Sequence, residues 1–236
     1  MRQAVIITGA SSGIGFAVSE RLCDMDYEVF GFGRNFELCK LERPNFHPIT
    51  CDLLDTAKLT GQVKQIAADW EIHVLINNAG VAYYGLHEEL NAKKIAEMVR
   101  TNLEVPMILS AQLLRTLKKN KGHIIDIASV TAVNSNPHGC AYGATKAGLY
   151  SFGRSLFDEA RKYGVKVTTI CPDMTKTNLY RNADFMEAEE EEARLLPEDV
   201  ADAVVFVLGA RDGMVLSELT LKPQLHRIKR KGAKKN

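Results

Sequence analysis

A glycine-rich turn lies directly between the first apolar run of the chain and its first helical pattern. Residues 4–7 are all apolar, and residues 8–15 contain three glycines at G-x-x-x-G-x-G spacing. Glycine lets a backbone approach a phosphate closely, and a helix N-terminus offers it unpaired N–H groups. The turn therefore predicts a site for dinucleotide phosphates; a turn in which glycine serves packing alone is the alternative. The candidate contacts are Gly9, Ser11, Ser12, Gly13, Ile14 and Gly15.

Further apolar runs follow the first, and most are separated by stretches with helical periodicity. These runs span residues 28–33, 46–50, 73–77, 122–129, 165–171 and 219–222. Strands that are joined by crossover helices form a parallel sheet that is covered on both faces. We therefore expect an α/β protein with a doubly wound, mostly parallel sheet of the Rossmann type. A chain of 236 residues without a linker-like segment predicts a single domain, which we assign to residues 1–226.

The composition is that of an ordinary globular protein. Hydrophobic residues make up 46% and charged residues 25% of the chain, which excludes disordered, collagen-like and coiled-coil classes. No apolar run approaches the ~18 residues that span a bilayer, so we expect a cytoplasmic protein without a membrane partner. The five cysteines form no C-x-x-C pair and the six histidines are scattered. Neither a disulfide framework nor a metal site is predicted.

Charge is concentrated in two segments of opposite sign. Residues 187–192 include five glutamates, whereas residues 227–236 carry six basic residues and no acidic one. A basic terminal segment can bind nucleic acid or a membrane surface. A disordered solubility tail is the simpler interpretation of residues 227–236, so nucleic acid is not an expected partner.

The acidic run belongs to a longer segment, residues 173–196, which follows the strand at 165–171 and precedes a helix that begins near Pro197. Ligands of open α/β sheets bind at the carboxyl ends of the strands, so we expect this segment to be a mobile, helical substrate lid. Its charged face would stay in water. The side chains available to close over an apolar part of the substrate are Leu179, Tyr180, Phe185, Met186, Leu195 and Leu196.

An arginine follows the second predicted strand, where a nucleotide fold usually has an acidic residue. That acid binds the adenosine 2′-hydroxyl of NAD, but this strand ends in Gly33, Arg34 and Asn35. A guanidinium there can pair with a 2′-phosphate, which a carboxylate would repel. Arg34 therefore favours NADP over NAD, with a plain surface arginine as the alternative.

Tyr142 and Lys146 are four residues apart at the start of a predicted helix, so their side chains share one face. The pair alone has little meaning, because tyrosine and lysine are common at this spacing. Its context is more specific: residues 77–80 read Asn-Asn-Ala-Gly after one strand, Asn102 lies in a helical stretch, and Ser129 ends another strand.

Together these motifs make the chain resemble the single-domain branch of the short-chain dehydrogenase/reductase family, over residues 4–222. They occur in the family's order and approximate spacing. The resemblance implies further cofactor contacts. Asp52 and Leu53 would lie near the adenine ring, and Thr177 would lie beside the nicotinamide. The other implied contacts are Asn78, Ala79, Gly80, Tyr142, Lys146, Pro172 and Thr175.

The resemblance also implies the catalytic roles. Tyr142 would exchange a proton with the substrate oxygen. Lys146 would lower the pKa of the Tyr142 phenol, which is ~10 in a free tyrosine. Lys146 would also bind the nicotinamide ribose. Ser129 would bond the substrate oxygen, and Asn102 would hold a water that relays protons. His138 and Cys140 could line the substrate cleft or merely shape a loop.

The resemblance implies a homodimer or homotetramer formed through the helices that follow Asn102 and Tyr142. The second of these helices carries an apolar stripe that fits an interface or the core: Leu149, Phe152, Leu156 and Phe157. Two departures from the family pattern stand out. Asp173 replaces the usual glycine after Pro172, and a basic tail replaces the glycine-rich ending common among 3-oxoacyl reductases.

The sequence therefore predicts an NADP(H)-dependent oxidoreductase that acts on a small-molecule carbonyl or secondary alcohol, with Tyr142 as the acid/base. A 3-oxoacyl-thioester reductase is the alternative within the same chemistry. A non-catalytic NADP-binding sensor is the alternative of another class, since a fold does not fix a function.

Overall fold

The computed structural model describes residues 3–231, and its central element is a seven-stranded parallel sheet. The strand order is β3-β2-β1-β4-β5-β6-β8, and the six neighbouring pairs are all parallel. These strands are β1 (Ala4–Thr8), β2 (Glu28–Gly33), β3 (Phe46–Thr50), β4 (Ile72–Asn77), β5 (His123–Ile127), β6 (Lys166–Pro172) and β8 (Glu218–Leu221). The doubly wound α/β class predicted from the apolar runs is confirmed.

Helices cover both faces of this sheet. They are α1 (Gly13–Asp24), α2 (Thr56–Asp69), α3 (Ala92–Val99), α4 (Val105–Asn120), α5 (Cys140–Ala160) and α6 (Pro197–Leu208). Side chains alternate along each strand, so that Val5 and Ile7 of β1 pack with α1 and α6, whereas Ile6 packs with α2, α4 and α5. Both cores are apolar, which accounts for the continuous apolar runs in the sequence. Among residues 3–231 no helix is both long and apolar enough to cross a bilayer.

The segment at 173–196 differs from the predicted helical lid. It contains two short 3₁₀ helices, at Asn178–Asn182 and Glu191–Ala193, and one strand, β7 (Phe185–Glu187). Glutamates three or four residues apart, as in the 187–192 run, repel one another on a helix. Here Glu189 and Glu190 instead form ion pairs with basic residues near the C-terminus.

The basic segment also differs from the disordered tail that we expected at 227–236. Residues Ile228–Arg230 form β9, which pairs antiparallel with β7. Backbone hydrogen bonds and opposite charges provide the partners that a solvated tail would lack. The rest of the predicted tail, residues 232–236, lies outside the described residues.

The apolar stripe of α5 belongs to the core of the chain itself. Leu149 and Leu156 are buried, and Phe152 and Phe157 pack against the same cluster as the strands. The stripe therefore gives no support to a subunit interface, and the homodimer or homotetramer stays a prediction.

Candidate active site

The glycine turn has a backbone that other residues would not fit. Gly9 and Gly13 have φ angles of +72° and +57°, in the left-handed region that favours glycine. A Cβ on Gly9 would also lie 2.9 Å from the Cα of Ala79, and one on Gly15 would overlap the Gly9 carbonyl oxygen. Ser12, the N-cap of α1, makes no side-chain capping bond. The turn thus brings the start of α1 close to the end of β4, with its first N–H groups open to a ligand.

The end of β4 is tied to this turn by side chains. Thr8 Oγ1 accepts the backbone N–H groups of Asn78 and Ala79, both at 3.1 Å. The Asn78 amide donates to the carbonyl oxygens of Thr8 at 2.9 Å and Gly9 at 3.3 Å. The sequence analysis assigned no role to Thr8. Its hydroxyl links the end of β1 to the residues after β4, and this link depends on the pairing of the two strands in the sheet.

The carboxyl ends of the strands open into a cleft of about 420 Å³. Nearly all the predicted site residues line this cleft. The exceptions are Gly15 and Asn102, which do not belong to its lining. The predicted residues in the lining are Gly9, Ser11, Ser12, Gly13, Ile14, Arg34, Asp52, Leu53, Asn78, Ala79, Gly80, Ser129, Tyr142, Lys146, Pro172, Thr175 and Thr177. The lining also includes Glu97, Thr101 and Arg181, which carried no sequence signal because they lie outside the recognisable motifs.

Arg34 lies at the rim of the cleft, directly after β2, and its side chain is exposed. Within residues 3–231 its guanidinium forms no ion pair with a carboxylate. Ser11 lies close by, since a Cβ on Gly33 would be 3.1 Å from the Cβ of Ser11. A cation and a hydroxyl are therefore available where the second strand ends.

Ser129, Tyr142 and Lys146 lie on one wall of the cleft, and all three are buried. Ser129 follows β5, and its hydroxyl oxygen accepts the Thr131 N–H at 3.2 Å. Tyr142 and Lys146 lie in the first two turns of α5. The Lys146 ammonium donates to the Ile127 carbonyl oxygen at 2.7 Å, which fixes it beneath the cleft.

The pKa of Tyr142 differs from our expectation that Lys146 would lower it. Burial raises the pKa of this phenol to about 12, and a hydrogen bond with Ser129 opposes the rise. The Lys146 ammonium is 6.0 Å from the centre of the Tyr142 ring and is directed at the Ile127 carbonyl. Burial also lowers the pKa of Lys146 to about 8. Desolvation, which disfavours both charged forms, is the larger effect at this wall.

Asn102 lies in a π-helical turn, Arg100–Glu104, between α3 and α4. Its side-chain oxygen accepts the Val81 N–H at 2.9 Å, and its amide donates to the Val81 carbonyl at 2.9 Å and to Thr145 Oγ1 at 3.1 Å. Thr145 in turn donates to the Tyr142 carbonyl at 2.7 Å. The Asn102 side chain thus fastens the loop after β4 to the helix that carries Tyr142.

A buried carboxyl group lies beneath the site. Asp126 of β5 has no exposed surface, and its Oδ1 accepts the Asn77 amide at 2.8 Å. Its Oδ2 has no hydrogen-bond partner among the described residues. Burial raises the pKa of Asp126 to about 7, while Asn77 and the charge of Lys146 oppose the rise.

The structure also places other residues that the sequence analysis singled out. His138 and Cys140 are exposed and do not belong to the cleft lining; His138 precedes α5, and Cys140 is its first residue. Asp173, which replaces a glycine of the family pattern, does not have a positive φ angle, and its N–H donates to the Leu221 carbonyl at 2.9 Å. The backbone there accepts an aspartate without strain. In residues 3–231 no group of three or more His, Cys, Asp or Glu side chains is arranged to hold a metal ion.

Comparisons with known proteins agree with this geometry. The family model described as short chain dehydrogenase matches residues 3–188. An uncharacterised oxidoreductase of Staphylococcus epidermidis is 30% identical, covering 94% of this chain and 97% of its own. A 3-oxoacyl-[acyl-carrier-protein] reductase of Rickettsia bellii is 28% identical, covering 92% and 93%.

A solved structure has the same fold. It is the 3-ketoacyl-(acyl-carrier-protein) reductase of Brucella melitensis complexed with NADH, which superposes with a TM-score of 0.86 at 22% identity, covering 95% of this chain and 98% of that one. The segment that the family model matches, residues 3–188, includes the glycine turn, the Asn-Asn-Ala-Gly string, and Ser129, Tyr142 and Lys146. The chain belongs to the short-chain dehydrogenase/reductase family of oxidoreductases.

Proposed function

We propose that the protein is an NADP(H)-dependent oxidoreductase that transfers a hydride between the nicotinamide and a carbonyl or secondary alcohol substrate. The observation that carries the proposal is the meeting of Ser129, Tyr142 and Lys146 on one wall of the cleft whose other end is the glycine turn. A site for phosphates and a site for proton transfer thus share one cavity.

The residues of the cleft fit a dinucleotide. The positive φ angles of Gly9 and Gly13 keep both positions of the turn free of side chains, and the open N-terminus of α1 suits a pyrophosphate. The rest of the cofactor would extend from Asp52 and Leu53, at the adenine end, to Pro172, Thr175 and Thr177. The bound nicotinamide supplies or accepts the hydride.

Tyr142 is the proposed proton donor during reduction. Since its pKa is about 12, the phenol keeps its proton at neutral pH and can pass it to a substrate oxygen. Ser129 offers a hydroxyl to the same oxygen. The Lys146 ammonium, held at the Ile127 carbonyl, contributes positive charge and a donor for the nicotinamide ribose. In the oxidation direction Tyr142 must first release its proton, which its buried position makes costly.

Arg34 is the proposed determinant of NADP preference. Its exposed guanidinium at the cleft rim has no competing carboxylate among residues 3–231 and can pair with a 2′-phosphate. A charge-assisted contact of about 1.5–3 kcal/mol predicts a preference of roughly tenfold or more over NADH. Titration of both cofactors into the wild type and Arg34→Ala tests this, with Arg115→Ala on the exposed face of α4 as the control. An unchanged NADPH to NADH ratio in Arg34→Ala would refute the assignment.

The decisive experiment follows NADPH absorbance with a panel of ketones and aldehydes, and NADP⁺ reduction with the matching alcohols. Tyr142→Phe removes only the transferable proton, so turnover should fall by about 10²–10⁴-fold while the cofactor dissociation constant stays within about twofold of wild type. Tyr163→Phe, at an exposed tyrosine distant from the cleft, is the matched control. Full activity of Tyr142→Phe contradicts the proposal, and NADPH binding without turnover of any substrate supports the sensor alternative.

A 3-oxoacyl-thioester reductase is the second candidate, because a relative of that name matches nearly the whole chain. Acetoacetyl-coenzyme A therefore belongs in the panel. A kcat/KM for this thioester well above that of every simple ketone would favour the second candidate.

We propose further that residues 173–196 form the substrate lid. The segment follows the carboxyl end of β6 and contributes Asn178, Leu179, Tyr180 and Arg181 to the cleft lining. Amide exchange of this segment, measured with and without NADPH and substrate, should slow on binding. Equal protection in both states would show a fixed element instead.

A further inference from the structure

Three aromatic side chains form a cluster beside Tyr142, and one of them, Tyr84, contacts the Tyr142 ring. The Tyr84 ring lies 5.9 Å from that of Tyr142 and 6.1 Å from that of Tyr180, and it meets Phe185 edge to face at 4.9 Å. The centres of Tyr180 and Phe185 are 5.6 Å apart. We call Tyr84, Tyr180 and Phe185 the aromatic wall. Burial raises the pKa of the phenols of Tyr84 and Tyr180, so both stay neutral.

Two members of this wall belong to a segment that is held from outside the main sheet. Tyr180 lies in a 3₁₀ helix and Phe185 begins β7, which pairs with β9 in a separate two-stranded sheet. The register places Phe185 opposite Arg230 and Glu187 opposite Ile228. We call residues 223–231, which include β9, the C-terminal strap.

Backbone contacts join the strap to the wall. The Lys231 N–H donates to the Asp184 carbonyl at 2.7 Å, and the Leu225 N–H donates to the Glu192 carbonyl at 2.7 Å. The Lys231 ammonium donates to the carbonyl oxygens of Tyr180 at 2.7 Å and Arg181 at 3.4 Å. One lysine thus contacts the backbone on both sides of the turn between Tyr180 and Phe185.

Opposite charges reinforce these contacts. Arg227 pairs with Glu190 at 3.0 Å, and Lys229 pairs with Glu189. The hydrogen bond with Lys229 lowers the pKa of Glu189 from its usual value, and the pKa of Glu190 is lowered first by a hydrogen bond with its own backbone and then by Arg227. The acidic run and the basic segment, which lie about 40 residues apart in the sequence, therefore form one complementary contact.

We propose that the C-terminal strap is a positioning element that holds Tyr180, the member of the aromatic wall that lines the cleft, against Tyr84 and Phe185. Supported in this way, Tyr180 selects substrates with a flat aromatic group next to the reacting carbonyl. This inference rests on the proposed function, since it names the substrate class for the same site. Planar rings pack edge to face or offset against aromatic side chains, whereas a flexible alkyl chain gains only area burial and loses rotational freedom.

The wall is tested with two ketones of equal carbon number, acetophenone and methyl hexyl ketone. Wild type should show a KM about tenfold lower for acetophenone, as expected for an aromatic contact of roughly 1 kcal/mol together with a smaller loss of rotational freedom. Phe185→Leu should remove most of this preference and leave the NADPH dissociation constant unchanged. Phe206→Leu, at an exposed residue of α6, is the control. No aromatic preference in wild type, or an unchanged preference in Phe185→Leu, would overturn the assignment.

The strap is tested by a charge exchange. Lys229→Glu places a glutamate against Glu189, so it should raise the KM for acetophenone about three- to tenfold with kcat within about twofold, and accelerate amide exchange at residues 178–187. The double variant Glu189→Lys with Lys229→Glu should restore both quantities. Lys222→Glu, before the strap, is the control. Faster amide exchange without a change in KM, or no rescue in the double variant, would show that the strap does not position the aromatic wall for substrate binding.

A failure of the proposed function gives a different result. In that case no ketone is turned over, but the exchange of residues 178–187 and the calorimetric binding of acetophenone to the NADPH-loaded protein still respond to Lys229→Glu and its rescue. If ketones are turned over but Lys229→Glu changes neither the amide exchange nor the acetophenone binding, the positioning role of the strap is wrong and the proposed function stands.

Discussion

The two ends of the cleft are built in different ways. The end that we propose for the dinucleotide is formed by the glycine turn and the ends of β1, β2 and β4, each of which pairs with a strand on both sides in the parallel sheet. The end that we propose for the substrate includes residues 178–181, which belong to a segment that is held by a two-stranded sheet and by exposed ion pairs. Buried backbone contacts resist change, whereas exposed ion pairs contribute little each. Under the proposed function, this division would combine a fixed cofactor site with a substrate wall that is easily altered.

The largest expected effect comes from breaking the dinucleotide end. In Gly15→Ala the new methyl group overlaps the Gly9 carbonyl oxygen, a backbone atom of the turn. We expect a loss of more than about 3 kcal/mol in the free energy of unfolding and no measurable NADPH binding. Denaturant unfolding and cofactor titration measure the two quantities.

Gly61→Ala is the matched control, because a Cβ there meets nothing within 4 Å. Gly61 lies in α2, where alanine stabilises a helix by about 0.5–1 kcal/mol relative to glycine. If Gly15→Ala behaved like this control, the turn would be far more adaptable than the contact with Gly9 implies.

The next largest effect concerns Asn102, which connects the loop after β4 to the helix that carries Tyr142. Asn102→Ala leaves the N–H and carbonyl of Val81 without the partners that now lie at 2.9 Å. Unpaired buried polar groups cost about 1–3 kcal/mol each, so we expect a destabilisation of about 2–4 kcal/mol. Because Thr145 links Asn102 to the Tyr142 carbonyl, kcat should fall more than cofactor affinity. A destabilised variant with wild-type kcat would show that Tyr142 does not depend on this link.

A smaller effect comes from the buried carboxyl of Asp126. Its folded pKa of about 7 lies above the value near ~3.9 of an unfolded chain. At a pH below both pKa values the carboxyl is protonated in the folded and the unfolded chain, so its ionisation does not change the free energy of unfolding. As the pH rises through this interval the unfolded chain ionises first, so stability is lost until about pH 7. Asp126→Asn keeps an acceptor for Asn77 and removes the charge.

The variant should therefore match wild type at about pH 4 and exceed it by about 1–3 kcal/mol in unfolding free energy at pH 8. Denaturant unfolding at several pH values measures the difference. Asp55→Asn, at the exposed N-cap of α2, is the control for the same substitution at an exposed position. A difference between Asp126→Asn and wild type that is constant with pH would show that folding does not raise the pKa of Asp126.

The same division explains what the sequence could predict. Strands such as β1, β2 and β3 were predicted within a residue, because buried parallel strands are continuous apolar runs. The fold, the glycine turn and the placement of Tyr142 beside Ser129 follow from local patterns and family motifs. Local patterns do not determine long-range pairing. Residues 173–196 were therefore predicted to be helical, and residues 227–236 to be disordered. Their opposite charges were visible, but only the structure shows that they meet.

The smallest expected effect is that of salt on the substrate end. Exposed pairs such as Arg227 with Glu190 are screened when the Debye length falls from about 10 Å at 0.1 M salt to about 3 Å at 1 M. Because exposed pairs contribute little to stability, the denaturation midpoint of the whole protein should change little through the loss of these pairs. Amide exchange at residues 178–187 should nonetheless accelerate several-fold, since this segment opens without unfolding the sheet. Exchange in β1 and β4 should stay unchanged. Equal acceleration in both regions would mean that the two ends of the cleft open as one unit, and that the strap contributes nothing of its own.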